Sequence, residues 1–453
     1  MANFKLKKGF DIPVSGAAEK KWSEALSPQR VALQPYEFRG IRAKLEVAVG
    51  DVVKKGSPLF HAKMYPDMKF TSPVSGKVVE INRGLRRMLM EVVVENDNKK
   101  EALSFDKIAI DKITQTDREK LVGLLMSGGL WPMLRQRPFN KLAHPSEFPR
   151  DIFISGMDTA PLAADMSMVM DGQKENFQAG INCLGQLTDG KVYLSTSAEG
   201  PTVDAFAHVS GVELNTFSGP HPAGNVGVQI HHIKPINSGE TVWYIAPYDV
   251  AMIGKFLISG EVPVERVVAL AGNGLKDRSY FKTILGAPVS EFVKPEILAA
   301  DEVRYINGNV LTGTKILSKG YVGFYNNLLS VIPEGEKTLK FLGWYRPGTN
   351  VPSHSRTFLS KLMGKKDLPM STLLNGAERA LIMTGDYESV LPMDIYPVHL
   401  VKSVLAEDIT EMEGLGILEV DEEDLALCSY ICPSKFDFGA TVRHGLEMIE
   451  KEG

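Results

Sequence analysis

Cysteine is scarce in this chain: Cys183, Cys428 and Cys432 are the only ones in 453 residues. Three thiols cannot build a disulfide framework, which points to a reducing compartment. Long apolar runs are missing too. No stretch of roughly 18 apolar residues occurs, so no membrane-spanning helix is expected. Neither charge sign dominates, and a formal net charge of −4 gives no electrostatic footprint for nucleic acid. The opening Met-Ala-Asn-Phe-Lys-Leu-Lys-Lys-Gly-Phe-Asp-Ile-Pro has no apolar h-region, so no secretory signal is expected. No Gly-Lys-Ser/Thr phosphate loop exists, and residues 101–260 hold no Gly-x-Gly-x-x-Gly, which leaves a standard nucleotide site unsupported. Glycine and proline, by contrast, are plentiful (41 and 26) and spread throughout, which predicts many turns and short strands. The length fits about three domains.

The first clear pattern lies at 45–60, Leu-Glu-Val-Ala-Val-Gly-Asp-Val-Val-Lys-Lys-Gly-Ser-Pro-Leu-Phe, echoed at 70–81 by Phe-Thr-Ser-Pro-Val-Ser-Gly-Lys-Val-Val-Glu-Ile. Apolar positions alternate between Gly-containing turns, as half-buried strands require. The paired segments resemble the two halves of a biotinyl/lipoyl carrier barrel. A carrier would be modified at Lys69 or Lys63, but the connecting Ala-Lys-Met-Tyr-Pro-Asp-Met-Lys lacks a Met-Lys-Met or Asp-Lys-Ala core in register. The favoured reading is therefore a barrel-sandwich module kept without a prosthetic group.

Asp117–Met126 has helical spacing, an acidic first turn and a Ser-Gly-Gly stop. Arg135, Arg137 and Lys141 follow around Trp131 and Phe139. They could hold a phosphate or nucleotide, although a solvated basic loop is the more economical reading. The order then runs strand (Ile152 onward), helix (Glu175 onward), strand (Lys191 onward), which argues a Rossmann-like α/β domain with a partly parallel sheet. Ligands in such sheets sit at the carboxyl ends of strands, which groups Ser155–Thr159, Ser195–Ser197 and Gly219–Gly227 on one crevice. The stretch Phe217-Ser-Gly-Pro-His-Pro-Ala-Gly-Asn-Val-Gly-Val-Gln-Ile-His-His reads as a glycine-rich loop holding His221, then a strand holding His231 and His232. Its prolines stand where a phosphate cradle needs amide donors. Tyr248 to Gly260 reads as an amphipathic helix with a glycine stop.

From Arg266 the pattern is a compact β module similar to a soluble-ligand-binding β-grasp (SLBB-like) domain. Further strands with aromatic spacing are expected over 320–358 (Tyr321, Phe324, Tyr325, Phe341, Trp344, Tyr345). The last 80 or so residues turn helical, with Asp421 to Asp424 read as an acidic first helical turn. Cys428-Ser-Tyr-Ile-Cys432-Pro resembles the close of an iron–sulfur run, yet the thiols are too few. A zinc site with His444 would have poor spacing, so packing cysteines are favoured. The predicted fold is multidomain α+β: 1–100 barrel-sandwich with an N-terminal strand, 101–260 α/β, 261–365 β-grasp with following strands, and 366–453 helical.

The module order, with "KLKKGFDIPVSG", "VGDVVKKG", "FTSPVSGKVVEINRG", "SGGLWPMLRQRPF", "MDTAPLAA", "GPHPAGNVG", "LTGT", "PMDIYP" and "EVDEEDLALCSYICPSKFDFG", resembles the A-subunit family of the sodium-translocating NADH:quinone oxidoreductases from end to end. The resemblance implies a peripheral subunit on the cytoplasmic face of a bacterial inner membrane. The complex it implies uses flavins, Fe-S and ubiquinone to oxidise NADH, reduce quinone and export sodium. Other subunits of that complex are the implied partners, ubiquinone or menaquinone a possible ligand, and nucleic acid none. In the related RnfC layout the glycine loop serves a flavin and the terminal helices a cluster. Here the prolines and the thiol count leave this chain expected to bind neither, and not to be catalytic alone. A quinone head group, if bound, is expected in the α/β crevice near His221, Gly219, Gly224 and Thr159. Alternatives are a prosthetic-group carrier and a RnfC-like electron-transfer component. A self-sufficient flavin NADH dehydrogenase fits least.

Overall fold

The computed structural model describes residues 2–335, 347–355, 358–364 and 367–452. Its centre is a seven-stranded sheet in the order β1-β13-β12-β11-β14-β9-β10. These strands are β1 (Ala2–Lys5), β9 (Arg135–Arg137), β10 (Lys141–Leu142), β11 (Ile152–Ser155), β12 (Val192–Ser197), β13 (Glu213–Ser218) and β14 (Val242–Ile245). The five from β1 to β14 run parallel, and β9 and β10 add an antiparallel edge. The expected partly parallel α/β domain is therefore present. One assignment differs: the N-terminal strand leaves the barrel and pairs with β13, Ala2 facing Asn215. Helices α1 (Arg118–Ser127), α2 (Met166–Val169), α3 (Lys174–Leu184), α4 (Val226–Ile233) and α5 (Pro247–Ser259) accompany this sheet. Gly260 closes α5 in a left-handed conformation (φ 68), which glycine adopts without a Cβ penalty.

The barrel-sandwich module comprises two sheets. One joins β2 (Arg30–Leu33), β8 (Leu89–Asn96), β7 (Gly76–Arg83) and β4 (Val52–Val53); the other joins β3 (Ala43–Leu45), β5 (Pro58–Ala62) and β6 (Tyr65–Thr71). Its interior holds Leu59, Phe60, Phe70, Val78, Val92, Val93 and Val94, all buried, so parts of β5 and β8 are covered on both faces. Its core is continuous with that of the α/β domain through Leu125, Leu130 and Trp131, so these two modules share one apolar interior.

The β-grasp module orders β16 (Tyr280–Ile284), β15 (Glu265–Ala271), β19 (Leu328–Pro333), β17 (Val303–Asn307) and β18 (Thr314–Ile316), with α6 (Val289–Phe292) packed alongside. Of the strands expected over 320–358, only β19 forms among the described residues; Phe341, Trp344 and Tyr345 lie outside them. After α7 (Leu359–Leu362) comes the expected helical region: α8 (Tyr387–Val390), α9 (Pro397–Leu405), α10 (Ile409–Gly414), α11 (Ala426–Ile431) and α12 (Phe438–Glu452). No helix among the described residues is long and apolar enough to cross a membrane. Met157, Phe217, Ala223 and Val228 of the α/β domain share a core with Tyr387, Leu425, Cys428 and Phe438. The helical region thus covers the carboxyl-end crevice of the sheet.

Candidate functional site

The predicted crevice residues do come together. The Thr159 hydroxyl accepts from the Gly224 amide (2.9 Å) and lies within hydrogen-bond distance, 3.1 Å, of His221 Nδ1. Ser155 Oγ reaches the Gly224 carbonyl at 2.9 Å, and Gln229 Nε2 donates to that hydroxyl. Gly224 is required here, because a Cβ would fall 2.6 Å from the Thr159 amide nitrogen. Gly219 takes φ 129 beside Leu6 of the N-terminal segment. His221 is only 3% exposed, and burial pushes its imidazole down to about 4. That holds it neutral.

Four of the loop's amides are already engaged within the chain. The His221 amide donates to Asp11 Oδ1 (2.8 Å), that of Ala223 to the Pro220 carbonyl, that of Gly224 to Thr159, and that of Asn225 to the Pro222 carbonyl. Pro220 and Pro222 have none.

His231 and His232 are a correction: they lie on helix α4, not on a strand. Nearly every side of its first turns is buried. Val226 and Ile230 pack on Phe153 and Val242, while Val228 joins the helical region. A helix sandwiched this way shows no amphipathic period. His231 Nδ1 pairs with Glu419 (2.8 Å), and His232 Nε2 donates to the Pro392 carbonyl (2.7 Å). All three histidines of the motif fasten one part of the chain to another.

The basic segment gives the larger correction. Arg135 and Arg137 stand on strand β9, two residues apart and so on one face, and Tyr244 pairs with Arg135 across the ladder. Arg137 is not solvated: it is fully buried, bonded to Asp424 (2.9 Å) and Glu423 (2.7 Å) with Asp421 at 3.9 Å. The acidic run is therefore no helix cap; it precedes α11 and clamps Arg137. Asn140 and Arg443 also bind Asp421. Burial raises Glu423 to about 7, against the pull of Arg137. For Asp421 burial also pushes upward, but Arg137 and Arg443 outweigh it and hold the carboxyl low. Lys141 pairs with Glu450 at 2.5 Å.

Arg135 differs. Its guanidinium carbon sits 4.9 Å from the Tyr325 ring centroid and 5.3 Å from that of Tyr244, and no described residue accepts a hydrogen bond from it. The Tyr325 hydroxyl is held by the Pro132 carbonyl (2.8 Å) and that of Tyr244 by Asn140. Nearby, Glu37 Oε2 accepts from the Phe324 amide (2.8 Å), and burial raises this carboxyl to about 7 although Arg135 opposes the shift. An apolar slit lined by Leu33, Phe70, Leu130, Met133, Leu285 and Phe324 abuts this junction, with a volume of about 20 Å³, room for one water. The barrel, α/β and β-grasp modules all meet here. In the sequence the Arg-Gln-Arg spacing and the aromatic spacing that includes Tyr325 touched this place; Glu37 and Tyr244 carried no local signal.

Cys428 and Cys432 are buried beside Tyr387, whose hydroxyl lies 3.2 Å from Cys432 Sγ, and Cys183 sits in the other core. Burial pushes the Cys183 thiol up to about 12. No group of three or more His, Cys, Asp or Glu side chains is placed to hold a metal among the described residues. Lys69 and His61 both bind Glu46 Oε1, each at 2.6 Å, on the barrel surface. Lys63 stands exposed at the β5–β6 turn.

Family models for the NqrA N-terminal barrel-sandwich hybrid domain, the NqrA second alpha/beta domain and the NQRA C-terminal domain match residues 4–97, 116–262 and 267–318. The chain is 41% identical over 449 residues to the A-subunit of the Na(+)-translocating NADH-quinone reductase of Tolumonas auensis, covering 99% of each. It is 41% identical to the corresponding protein of Yersinia pseudotuberculosis, covering 99% of this chain and 100% of the relative. The chain belongs to the NqrA family. The Vibrio vulnificus member is 40% identical, again covering 99% of each. An NAD+-reducing [NiFe]-hydrogenase crystal structure aligns with 76% of this chain and 63% of its own at TM-score 0.38 and 9% identity, too low to carry an argument. The NqrA domain models coincide with the barrel, the α/β sheet and the β-grasp module built above.

Proposed function

We propose that this chain works as the peripheral A-subunit of a sodium-translocating NADH:quinone reductase on the cytoplasmic face of the membrane. In this reading it binds other subunits and holds neither flavin nor iron–sulfur cluster itself. Quinone contact fits the Arg135 junction better than the His221 crevice. The carrying observation is the Arg135 guanidinium, enclosed by two tyrosine rings and lacking any acceptor among the described residues. A quinone carbonyl supplies that acceptor, and its ring suits the aromatic walls. His221 and Thr159, by contrast, already satisfy each other under the helical region.

Purification of the membrane complex followed by cross-linking tests the subunit reading, with this chain expected among the recovered subunits. A photoreactive ubiquinone analogue tests the site. Arg135→Leu is expected to weaken binding by at least about tenfold, the value of one charge-assisted hydrogen bond, while His221→Ala leaves it unchanged. The reverse pattern returns quinone to the crevice.

A further inference from the structure

The hairpin joining β7 to β8 ends in Asn82-Arg83-Gly84-Leu85-Arg86-Arg87-Met88, and every one of these residues is exposed. Leu85 is 89% exposed and Met88 52%. The tip is held in shape from within. Gly84 and Met88 amides donate to the Met88 and Leu85 carbonyls, and Arg83 Nη1 donates to the Arg87 carbonyl at 3.0 Å. Arg86 and Arg87 both adopt left-handed backbone (φ 52 and 61), which costs a non-glycine residue free energy and keeps the turn short. None of the three guanidinium groups forms an ion pair among the described residues. The nearest acids of the hairpin are Glu80 and Glu91, engaged by Arg30 (3.1 Å) and Asn82 (3.4 and 3.2 Å).

We propose that this tip docks the chain on an anionic phospholipid surface. Leu85 and Met88 enter the headgroup layer, and Arg83, Arg86 and Arg87 bind lipid phosphates. The inference rests on the peripheral-subunit reading and deepens it. A protruding turn of this size offers far less than the roughly 1,000 Å² that a specific protein interface needs. A lipid surface requires no matching pocket, only apolar side chains flanked by cations. Each arginine near such a surface changes partitioning about fivefold, so the tip acts as a supplementary contact beside docking on other subunits.

The test is sedimentation of the full chain with vesicles of phosphatidylglycerol and phosphatidylethanolamine, against vesicles of phosphatidylcholine alone. Binding is expected only to the anionic vesicles and falls as salt rises. Arg86→Glu with Arg87→Glu lowers it at least about tenfold, and Leu85→Ser about two- to fivefold. Both variants keep the wild-type melting temperature, since the tip packs on nothing. No binding, equal binding to both vesicle types, or indifference to the charge reversal overturns the proposal. If vesicles fail yet the charge reversal releases the chain from the purified complex, the occupant is an acidic protein face and the lipid proposal is equally overturned. Failure of the wild-type chain to co-purify is a separate result that sinks the subunit reading alone.

Discussion

Arg135 and Arg137 share a strand, a face and a tyrosine neighbour, yet their surroundings are opposite. Arg137 meets three carboxylates from the helical region and has no access to solvent. Arg135 meets two aromatic rings and no acceptor among the described residues. The first arrangement fastens two domains; the second is the contact proposed above for a quinone carbonyl. The His221 crevice belongs with Arg137, since its polar groups are paired within the chain. Burial and histidine content alone do not separate a fastening from a site. What separates the two arginines is that Arg137 meets carboxylates of its own chain while Arg135 meets none among the described residues.

Breaking the fastening gives the largest expected effect. Arg137→Leu leaves Asp424 buried without its cation and removes a partner from Glu423 and Asp421, and is expected to cost about 3–5 kcal/mol, read from denaturant unfolding. Arg135→Leu on the same strand is expected to cost under about 1 kcal/mol, because no described carboxylate loses a direct partner. Equal losses would dissolve the distinction. The His221 crevice sharpens it through pH. Its imidazole titrates near 4 in the fold against 6.5 unfolded, so between these values the unfolded chain binds the extra proton. Wild-type stability therefore rises with pH across that window, by roughly 3 kcal/mol from this group. His221→Asn is expected to flatten the rise, measured by urea unfolding at pH 4.5 and 7.

Much of this fold was legible locally. The alternation in Leu45–Phe60 and Phe70–Ile81 marked the barrel, and the apolar run at Ile152 followed by the helix from Glu175 marked the α/β domain. What escaped was long-range. Pairing of Ala2 with Asn215 gives no local cue to a strand leaving its own module. Asp424 meets Arg137 across 287 residues, so an acidic run and a basic run each looked solvated when read alone. Helix α4 escaped for a different reason: its β-branched residues are buried on two sides, and tertiary packing overrode propensity. The crevice residues were grouped correctly because strand ends in parallel sheets converge by topology. That the helical region packs over them depended on long-range contacts, which strand order does not announce.

The smallest effect concerns Glu37, and its sign opposes that of His221. Burial raises its carboxyl from 4.5 to about 7, so the fold keeps a proton that the unfolded chain has already released. Wild-type stability from this group is present below pH 4.5 and is lost as pH rises through 7. Partial solvent contact at the junction limits the effect to about 1 kcal/mol. Glu37→Gln removes the ionisation while keeping an acceptor for the Phe324 amide, so urea unfolding at pH 5 and 8 is expected to differ less in the variant than in the wild type. Glutamine also removes the carboxylate that faces Arg135 above pH 7. If Arg135 is the ligand donor, the variant binds a ubiquinone analogue at pH 8 at least as tightly as the wild type, because the guanidinium no longer has an anion competing for it. Weaker binding would instead make Glu37 itself the contact, and would move the recognition from the cation to the carboxyl beside it.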